Sequence, residues 1–154
     1  MLKRLRSFLS FPAGEQWFAV RALGTLVLVR LALWLLPFHM LRAVVERLSR
    51  APRSDPRPAV ARAVRRAIDR AARTIPGTAC LARALTAEVL LRRAGQPARL
   101  SIGVAPDGAP LDAHAWVECA GVLVTGDRDD LGRYRTLAVF SADAPTGAPT
   151  GGAP

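Results

Sequence analysis

The sequence has 154 residues, which is enough to bury one hydrophobic core, and its two cysteines exclude a disulfide framework. It contains no CxxC or Cys/His zinc spacing and no Walker-type phosphate loop, so we predict neither a metal site nor a cofactor. Residues 1–99 carry 19 Lys+Arg against 5 Asp+Glu, whereas residues 100–154 carry 3 against 7. This basic half suits an acidic partner, an anionic membrane, nucleic acid or a solvated helical face, and charge alone does not choose among them.

The N-terminal residues predict short helices. Met1–Phe11 mixes basic and apolar side chains as an amphipathic helix does, and no small-residue cleavage site follows to make it a secretory signal. Phe38–Leu48 has apolar residues at helical spacing and begins after Pro37. His39 has no second metal ligand nearby and is interpreted as structural. Without a signal or a disulfide framework, a reducing cytoplasm is the expected location.

Trp17–Leu36 is the most hydrophobic segment and is long enough to span a membrane. Arg21 and Arg30 lie inside it, however, and an arginine at the bilayer centre costs about 2.5–3.5 kcal/mol. A helix packed on protein, with both arginines reaching outward, avoids that cost. We therefore favour a packed helix over a span, with Trp17 and Trp34 in the core rather than in an interfacial belt; membrane-surface association stays a less favoured alternative.

The middle and the end of the chain are marked by composition. Ser49–Pro58 contains three prolines and predicts a linker. Ala59–Thr74 predicts an alanine- and arginine-rich helix, and it carries no aromatic platform that would favour a nucleic-acid partner. Ser141–Pro154 lacks bulky apolar residues and predicts a disordered tail. The expected division is a helical region at 1–50, a linker at 51–58, a domain at 59–140 and a tail at 141–154.

The residues just before Cys80 predict the start of a helix. Pro76 and Gly77 end the preceding helix, and the Thr78 hydroxyl is expected to cap the next one. Cys80 then falls in the first turn, where the helix dipole favours a thiolate. Most free cysteines are small buried core residues, so this position alone does not identify a nucleophile. Gly95 is suited to end the helix.

Beyond this helix the apolar pattern changes to the alternation of strands. The predicted strands are Ala98–Val104, Ala113–Cys119, Gly121–Thr125 and Tyr134–Phe140, with a hairpin turn at Ala120-Gly121.

Alternation places the side chains of the second strand on two opposite faces. His114, Trp116 and Glu118 share one face, so Cys119 points to the other and is expected in the core. Asp127 follows the next strand, where a hairpin partner would return beside His114. The order of a helix-borne cysteine, a strand histidine and an acid predicts nucleophilic acyl chemistry.

The expected roles are those of a catalytic triad. Cys80 attacks a carbonyl as a thiolate, and His114 carries the thiol proton to the leaving group. Asp127 orients the imidazole, and the backbone N–H of Cys80 is a candidate oxyanion donor. Asp112 competes for the role of the acid and is nearer to His114 in sequence, but adjacent strand residues are expected to diverge. Two further competitors resemble loop charges: Asp129 and Asp130.

This order is the layout of transglutaminase-like and papain-like folds. The sequence therefore predicts an α+β fold, in which an N-terminal helical region precedes a core made of the nucleophile helix packed on a small antiparallel sheet. The wording of five segments resembles the transglutaminase-like leader peptidases of lasso-peptide biosynthesis, in the split form without a fused recognition domain. These segments are Gly77–Leu85, Leu90–Gly95, Ala98–Val104, His114–Glu118 and Gly126-Asp127.

The resemblance covers roughly Ile75 to Leu137 and, less specifically, the helices of Trp17–Leu48. It implies a cysteine peptidase that removes the leader from a precursor peptide, with Cys80, His114 and Asp127 as the triad. It also implies two partners, a separate PqqD-like protein that delivers the leader and an asparagine-synthetase-like cyclase that closes the macrolactam afterwards.

Two other functions remain open from the residues themselves. The same scaffold is suited to another acyl transfer, as an amidase or a transglutaminase. A non-catalytic adaptor would instead use the basic helical half to bind a partner or a membrane surface, with Cys80 purely structural. The positive charge and apolar helices of Met1–Arg50 predict a partner surface in each of these cases.

Overall fold

The computed structural model describes residues 13–48, 54–75, 77–106, 112–126 and 131–141, with the side chains of 13–16 and 48 left out. The helix expected at Met1–Phe11 and the tail expected beyond Ser141 lie outside these residues. The described part of the chain forms four α-helices: α1 Ala13–Leu35, α2 Phe38–Leu48, α3 Pro58–Thr74 and α4 Cys80–Arg93. It also forms four strands: β1 Arg99–Ala105, β2 Asp112–Cys119, β3 Val122–Thr125 and β4 Arg135–Ser141.

The strands form one antiparallel sheet in the order β3-β2-β1-β4. The α+β prediction is therefore confirmed. The β2–β3 hairpin turns at Ala120 and Gly121, as predicted, with φ of 51° and 72°. Both central residues of such a tight turn need positive φ, which glycine adopts freely and alanine only with strain. A register shift in the β1–β4 pairing falls between Ile102 and Gly103.

Helix α4 is the central element of the core. It is buried along nearly its whole length because α1 and α3 pack against it on one side and the sheet on the other. The hydrophobic cluster is continuous from Leu26 of α1 through Ile68 of α3 and Leu85 of α4 to Val117 of β2. Small side chains dominate α3 and α4, which lets the helices approach closely. The core thus joins the N-terminal helices to the sheet.

The predicted linker is held against the end of α4. The side chain of Gln96 accepts a hydrogen bond from the Arg57 N–H (2.6 Å) and donates one to the Ser54 hydroxyl (2.8 Å). The Ser54 N–H in turn donates to the Gly95 carbonyl at 2.9 Å. Residues 54–57 have no helix or strand of their own and follow a defined path. The division of the chain into domains at this segment stays a prediction.

A buried ion-pair cluster ties α2 to α4. Arg42 of α2 donates to Glu88 of α4, and Arg92 lies 2.6 Å from the second oxygen of the same carboxylate. The Arg42 guanidinium also lies 4.3 Å from the centre of the Phe140 ring and 3.3 Å from Glu46. Burying these charges is tolerable only because they are paired. The cluster therefore fixes where α2 sits on the core.

Helix α1 is half packed and half exposed. Its inner side is buried against the core, whereas Trp17 is 64% exposed and Trp34 is 86% exposed. The expectation that both tryptophans pack in the core is wrong, because they lie on the side of α1 away from α3 and α4. Arg21 and Arg30 are both exposed, as predicted, but the Arg30 guanidinium donates to the Gly77 carbonyl at 3.3 Å and does not point away from the protein. Among the described residues, Trp17–Leu35 is the one helix long and apolar enough to cross a membrane, with a mean hydropathy of 1.8.

Candidate active site

Cys80 lies in the first turn of α4, as the sequence predicted, but the helix starts one residue later than a Thr78 cap implies. The N-cap residue is Ala79 in an extended conformation, and no side chain caps the helix. The Thr78 hydroxyl instead donates to the Ile75 carbonyl at 2.6 Å, which closes the turn around Gly77 at φ 70°. The capping prediction for Thr78 is wrong because the helix begins one residue too late for its hydroxyl to reach the first free N–H groups.

Because no side chain caps α4, its first backbone N–H groups have no capping partner. The first intrahelical bond runs from the Arg83 N–H to the Ala79 carbonyl at 3.2 Å. The N–H of Cys80 therefore has no partner within the helix, and the positive end of the helix dipole lies at the thiol. The Cys80 Sγ is half-buried and lies 3.9 Å from the Ala113 carbonyl oxygen of β2, to which the thiol donates. This contact places the sulfur beside the strand that carries the histidine.

The faces of β2 are those that alternation predicted. Ala115, Val117 and Cys119 point into the hydrophobic cluster. Burial raises the pKa of the Cys119 thiol, which keeps it protonated at neutral pH. His114 and Trp116 lie on the opposite face, with ring centres 6.3 Å apart. Cys119 is therefore a core residue, as expected, and its chemistry is separate from that of the histidine.

Aromatic rings flank the imidazole of His114. The ring of Tyr134, just before β4, stacks on it with centres 5.1 Å apart and planes at 27°. On the adjacent strand, Gly103 pairs directly with His114, and a Cβ at Gly103 would lie 3.1 Å from the Trp116 ring. Glycine is therefore needed there for the indole to lie flat beside the histidine. The rings restrict the imidazole to one orientation.

Cys80 and His114 line the same pocket, whose volume is about 330 Å³. The structure thus brings together two of the three residues that the sequence proposed for catalysis. Sequence reasoning did not place two arginines of this pocket, Arg65 of α3 and Arg83 of α4. Arg65 donates to the Leu123 carbonyl at 3.1 Å, and Arg83 pairs with Asp69 at 3.1 Å. The remaining lining residues are Ala115, Thr125 and Gly126.

Gly126 is the described residue nearest to the predicted acid in sequence. It has φ of 105°, and a Cβ there would lie 2.8 Å from the Trp116 Cβ and 3.5 Å from the His114 Nε2. A side chain at this position would therefore clash with the Cβ of Trp116 and contact the imidazole of His114. Asp127 itself lies outside the described residues, so its role stays a prediction.

Asp112 lies in β2 two residues before His114, so the two share a face and both contact Tyr134; the expectation that they diverge is wrong. Asp112 accepts hydrogen bonds from the Tyr134 hydroxyl at 3.1 Å and from Arg133 at 3.3 Å. Its carboxylate thus steadies the ring that stacks on His114. Asp129 and Asp130 lie outside the described residues. No sequence signal marked Tyr134 for this site beyond its place at the start of a predicted strand.

The described residues contain no group of three or more His, Cys, Asp or Glu side chains that is able to hold a metal ion. The chemistry that they offer is that of a thiol, an imidazole and a free backbone N–H around one pocket. This set suits attack on a carbonyl carbon and the transfer of its acyl group.

Comparison with protein families agrees with this arrangement. The family model of the transglutaminase-like superfamily matches residues 23–139, which include α2, α3, α4, the first three strands and most of β4. A search of curated proteins and a search of solved structures each find no significant match. The chain belongs to the transglutaminase-like superfamily. Cysteine-protease-like catalysis is general in this superfamily and is compatible with either a peptidase or an acyltransferase.

Proposed function

We propose that this protein is a cysteine peptidase that removes the leader from a lasso precursor peptide. The observation that carries the proposal is the shared pocket, in which Cys80 at the start of α4 and His114 of β2 meet on a transglutaminase-like fold. The choice of substrate rests on the five sequence segments that resemble the split leader peptidases. Three of these segments hold pocket residues: Cys80 and Arg83, then His114 and Ala115, and then Gly126.

The proposed reaction proceeds in two steps. The Cys80 thiol gives its proton to His114, and the sulfur attacks the carbonyl carbon of the scissile bond. The N–H of Cys80 donates to the oxyanion, since it has no partner inside the helix. The C–N bond then breaks, and His114 returns the proton to the leaving amine of the core peptide. A water molecule hydrolyses the thioester, which releases the leader as a carboxylic acid and restores the thiol.

Asp127 is the residue we assign to orienting His114 in this scheme. Its support is its sequence position directly after Gly126, at which a Cβ would lie 3.5 Å from the His114 Nε2. The two stacked rings and Asp112 would assist by restricting the imidazole. An orienting acid stabilises the imidazolium that forms during each proton transfer.

The proposed partners follow from the reaction and from the resemblance. A separate PqqD-like protein would hold the leader and present the scissile bond, since the chain resembles the form without a fused recognition domain. The freed amine of the core peptide would then pass to an asparagine-synthetase-like cyclase. The basic helical half, with the exposed Met40 and Val44 of α2, offers surface for such an assembly.

The test is the mass of the products formed from a lasso precursor by the purified protein and its recognition protein. Peptidase activity gives two fragments whose masses sum to that of the precursor plus one water. A product that joins the acyl part to an added amine would show acyl transfer instead, which the same superfamily accommodates. An intact precursor, under conditions in which the recognition protein binds its leader, would contradict both reactions.

A further inference from the structure

The outer side of α1 is an exposed apolar surface that the proposed reaction does not use. Helical geometry of about 100° per residue places its large exposed side chains within an arc of about 120°. We call these seven residues the outer stripe: Trp17, Val20, Val27, Leu28, Leu31, Trp34 and Leu35. They carry no charged group and, apart from the two indole N–H groups, no hydrogen-bonding side chain. Monomeric proteins rarely leave such a continuous patch in water.

Positive charge borders the outer stripe on both sides. Arg21 and Arg30 are exposed and fall just beyond the two edges of the arc by the same helical geometry. The surrounding first 50 residues carry eight Lys+Arg against two Asp+Glu. Tryptophans and the long side chains of arginines are amphipathic, and side chains of this kind are favoured where an apolar protein surface meets the headgroups of a bilayer.

We propose that the outer stripe lies on the surface of an anionic lipid bilayer. Trp17 and Trp34 are separated by about 26 Å along the helix axis, at about 1.5 Å per residue. They would therefore anchor both ends of α1 at the headgroup level, where indoles are favoured. Arg21 would reach the lipid phosphates, whereas the Arg30 guanidinium donates to the Gly77 carbonyl at 3.3 Å. This proposal is independent of the proposed peptidase function.

A helix that crosses the bilayer does not fit the same observations. The inner side of α1 is buried with Ala22, Leu26 and Val29 in the core that it shares with α3 and α4. Insertion across the membrane would remove these residues from the core or draw the arginines of α3 into hydrocarbon. A protein partner is also a poorer match, because protein interfaces use about one hydrogen bond per 100–200 Å², and the stripe offers almost none.

The experiment is co-sedimentation of the purified full chain with phosphatidylcholine vesicles, with and without phosphatidylglycerol. We expect binding to the anionic vesicles, weakening as salt is added. Tryptophan emission should shift to shorter wavelength on binding. Because Trp116 is buried, that shift would report on Trp17 and Trp34.

A matched pair of variants tests the surface itself. Leu28 in the stripe is 68% exposed and Leu137 on β4 is 54% exposed, so glutamate at either position is compatible with folding. Leu28→Glu should lower the vesicle partition coefficient about tenfold or more, the loss expected when one leucine no longer enters hydrocarbon. Leu137→Glu should leave it within about twofold.

Four outcomes would overturn the proposal. The wild-type chain fails to bind anionic vesicles, or Leu28→Glu and Leu137→Glu bind equally well. Bound protein resists extraction at alkaline pH, which would indicate a span. Light scattering shows a dimer that Leu28→Glu dissociates without any vesicle binding, which would make the stripe an interface between two copies.

Discussion

The buried carboxylate of Glu88 offers the most quantitative test of how the helices are held together. Its side chain is 0% exposed, and its two partners Arg42 and Arg92 are 8% and 10% exposed. Glu88→Gln keeps the volume of the side chain and removes its charge. The change in the free energy of unfolding therefore reports the lost charge and not a cavity. Two buried guanidinium groups then lose the carboxylate that they share.

The expected cost follows from what each arginine retains. Loss of one partner of a buried pair costs about 3–5 kcal/mol. Arg42 keeps Glu46 at 3.3 Å and the Phe140 ring at 4.3 Å, so we expect the lower end of the range, about 3 kcal/mol. At about 2–4 °C per kcal/mol for a chain of this size, the melting temperature should fall by about 6–12 °C.

The assay is urea unfolding followed by circular dichroism, with Asp69→Ala as the matched control. Asp69 pairs with Arg83 at 3.1 Å, but both side chains are more than a third exposed, so its removal should cost less than about 1 kcal/mol. An unfolding free energy for Glu88→Gln within about 0.5 kcal/mol of wild type would refute the reasoning. Equal losses of unfolding free energy in Glu88→Gln and Asp69→Ala would refute it as well, because burial would then make no difference to the cost of breaking an ion pair.

Three further predictions concern the pocket and the hairpin. Iodoacetamide near neutral pH should label Cys80 much faster than Cys119, whose raised pKa and burial keep it protonated. Peptide mass spectrometry measures the labelling of each cysteine, and equally slow labelling of both would favour the adaptor function. Gly126→Ala should slow precursor cleavage about tenfold or more, because the new Cβ would clash with Trp116. Gly24→Ala is the control and should preserve the rate, since nothing lies within 4 Å of a Cβ there. Equal cleavage rates in both variants would show that Gly126 is not part of the active site. Ala120→Gly should raise the free energy of unfolding by about 0.5–1 kcal/mol in urea titration by relieving a positive φ, and a lower midpoint would contradict this.

Local chemistry explains what could be predicted from the sequence. The start of α4 at Cys80 followed from the break at Pro76-Gly77 and the apolar spacing after it. The faces of β2 followed from strict alternation, which placed His114 opposite to Cys119 before any fold was known. The turn at Ala120-Gly121 followed from a short glycine-containing gap between two apolar runs. Each of these signals lies within about ten residues of the feature it predicts.

The features that were missed have two causes. Thr78 was expected to cap α4, but the helix starts one residue later, after the N-cap Ala79, and a sequence pattern locates a helix start only to within one or two residues. The other two features depend on contacts between distant parts of the chain. Trp34 was expected in the core because it is large and hydrophobic. Hydrophobicity indicates how much a side chain gains from burial, but it does not indicate which side of the helix contacts the protein. The stacking of Tyr134 on His114 joins residues that are 20 positions apart, and no pattern within either segment encodes that contact.

The most direct measurement of the central claim is the rate at which Cys80→Ala cleaves a lasso precursor in the presence of the recognition protein. Cys119→Ala is the matched control, since it removes the other thiol. The proposed mechanism predicts that Cys80→Ala remains folded and loses cleavage by at least about a thousandfold, while Cys119→Ala retains activity once it is folded. Full cleavage by Cys80→Ala would contradict the assignment of this thiol as the nucleophile.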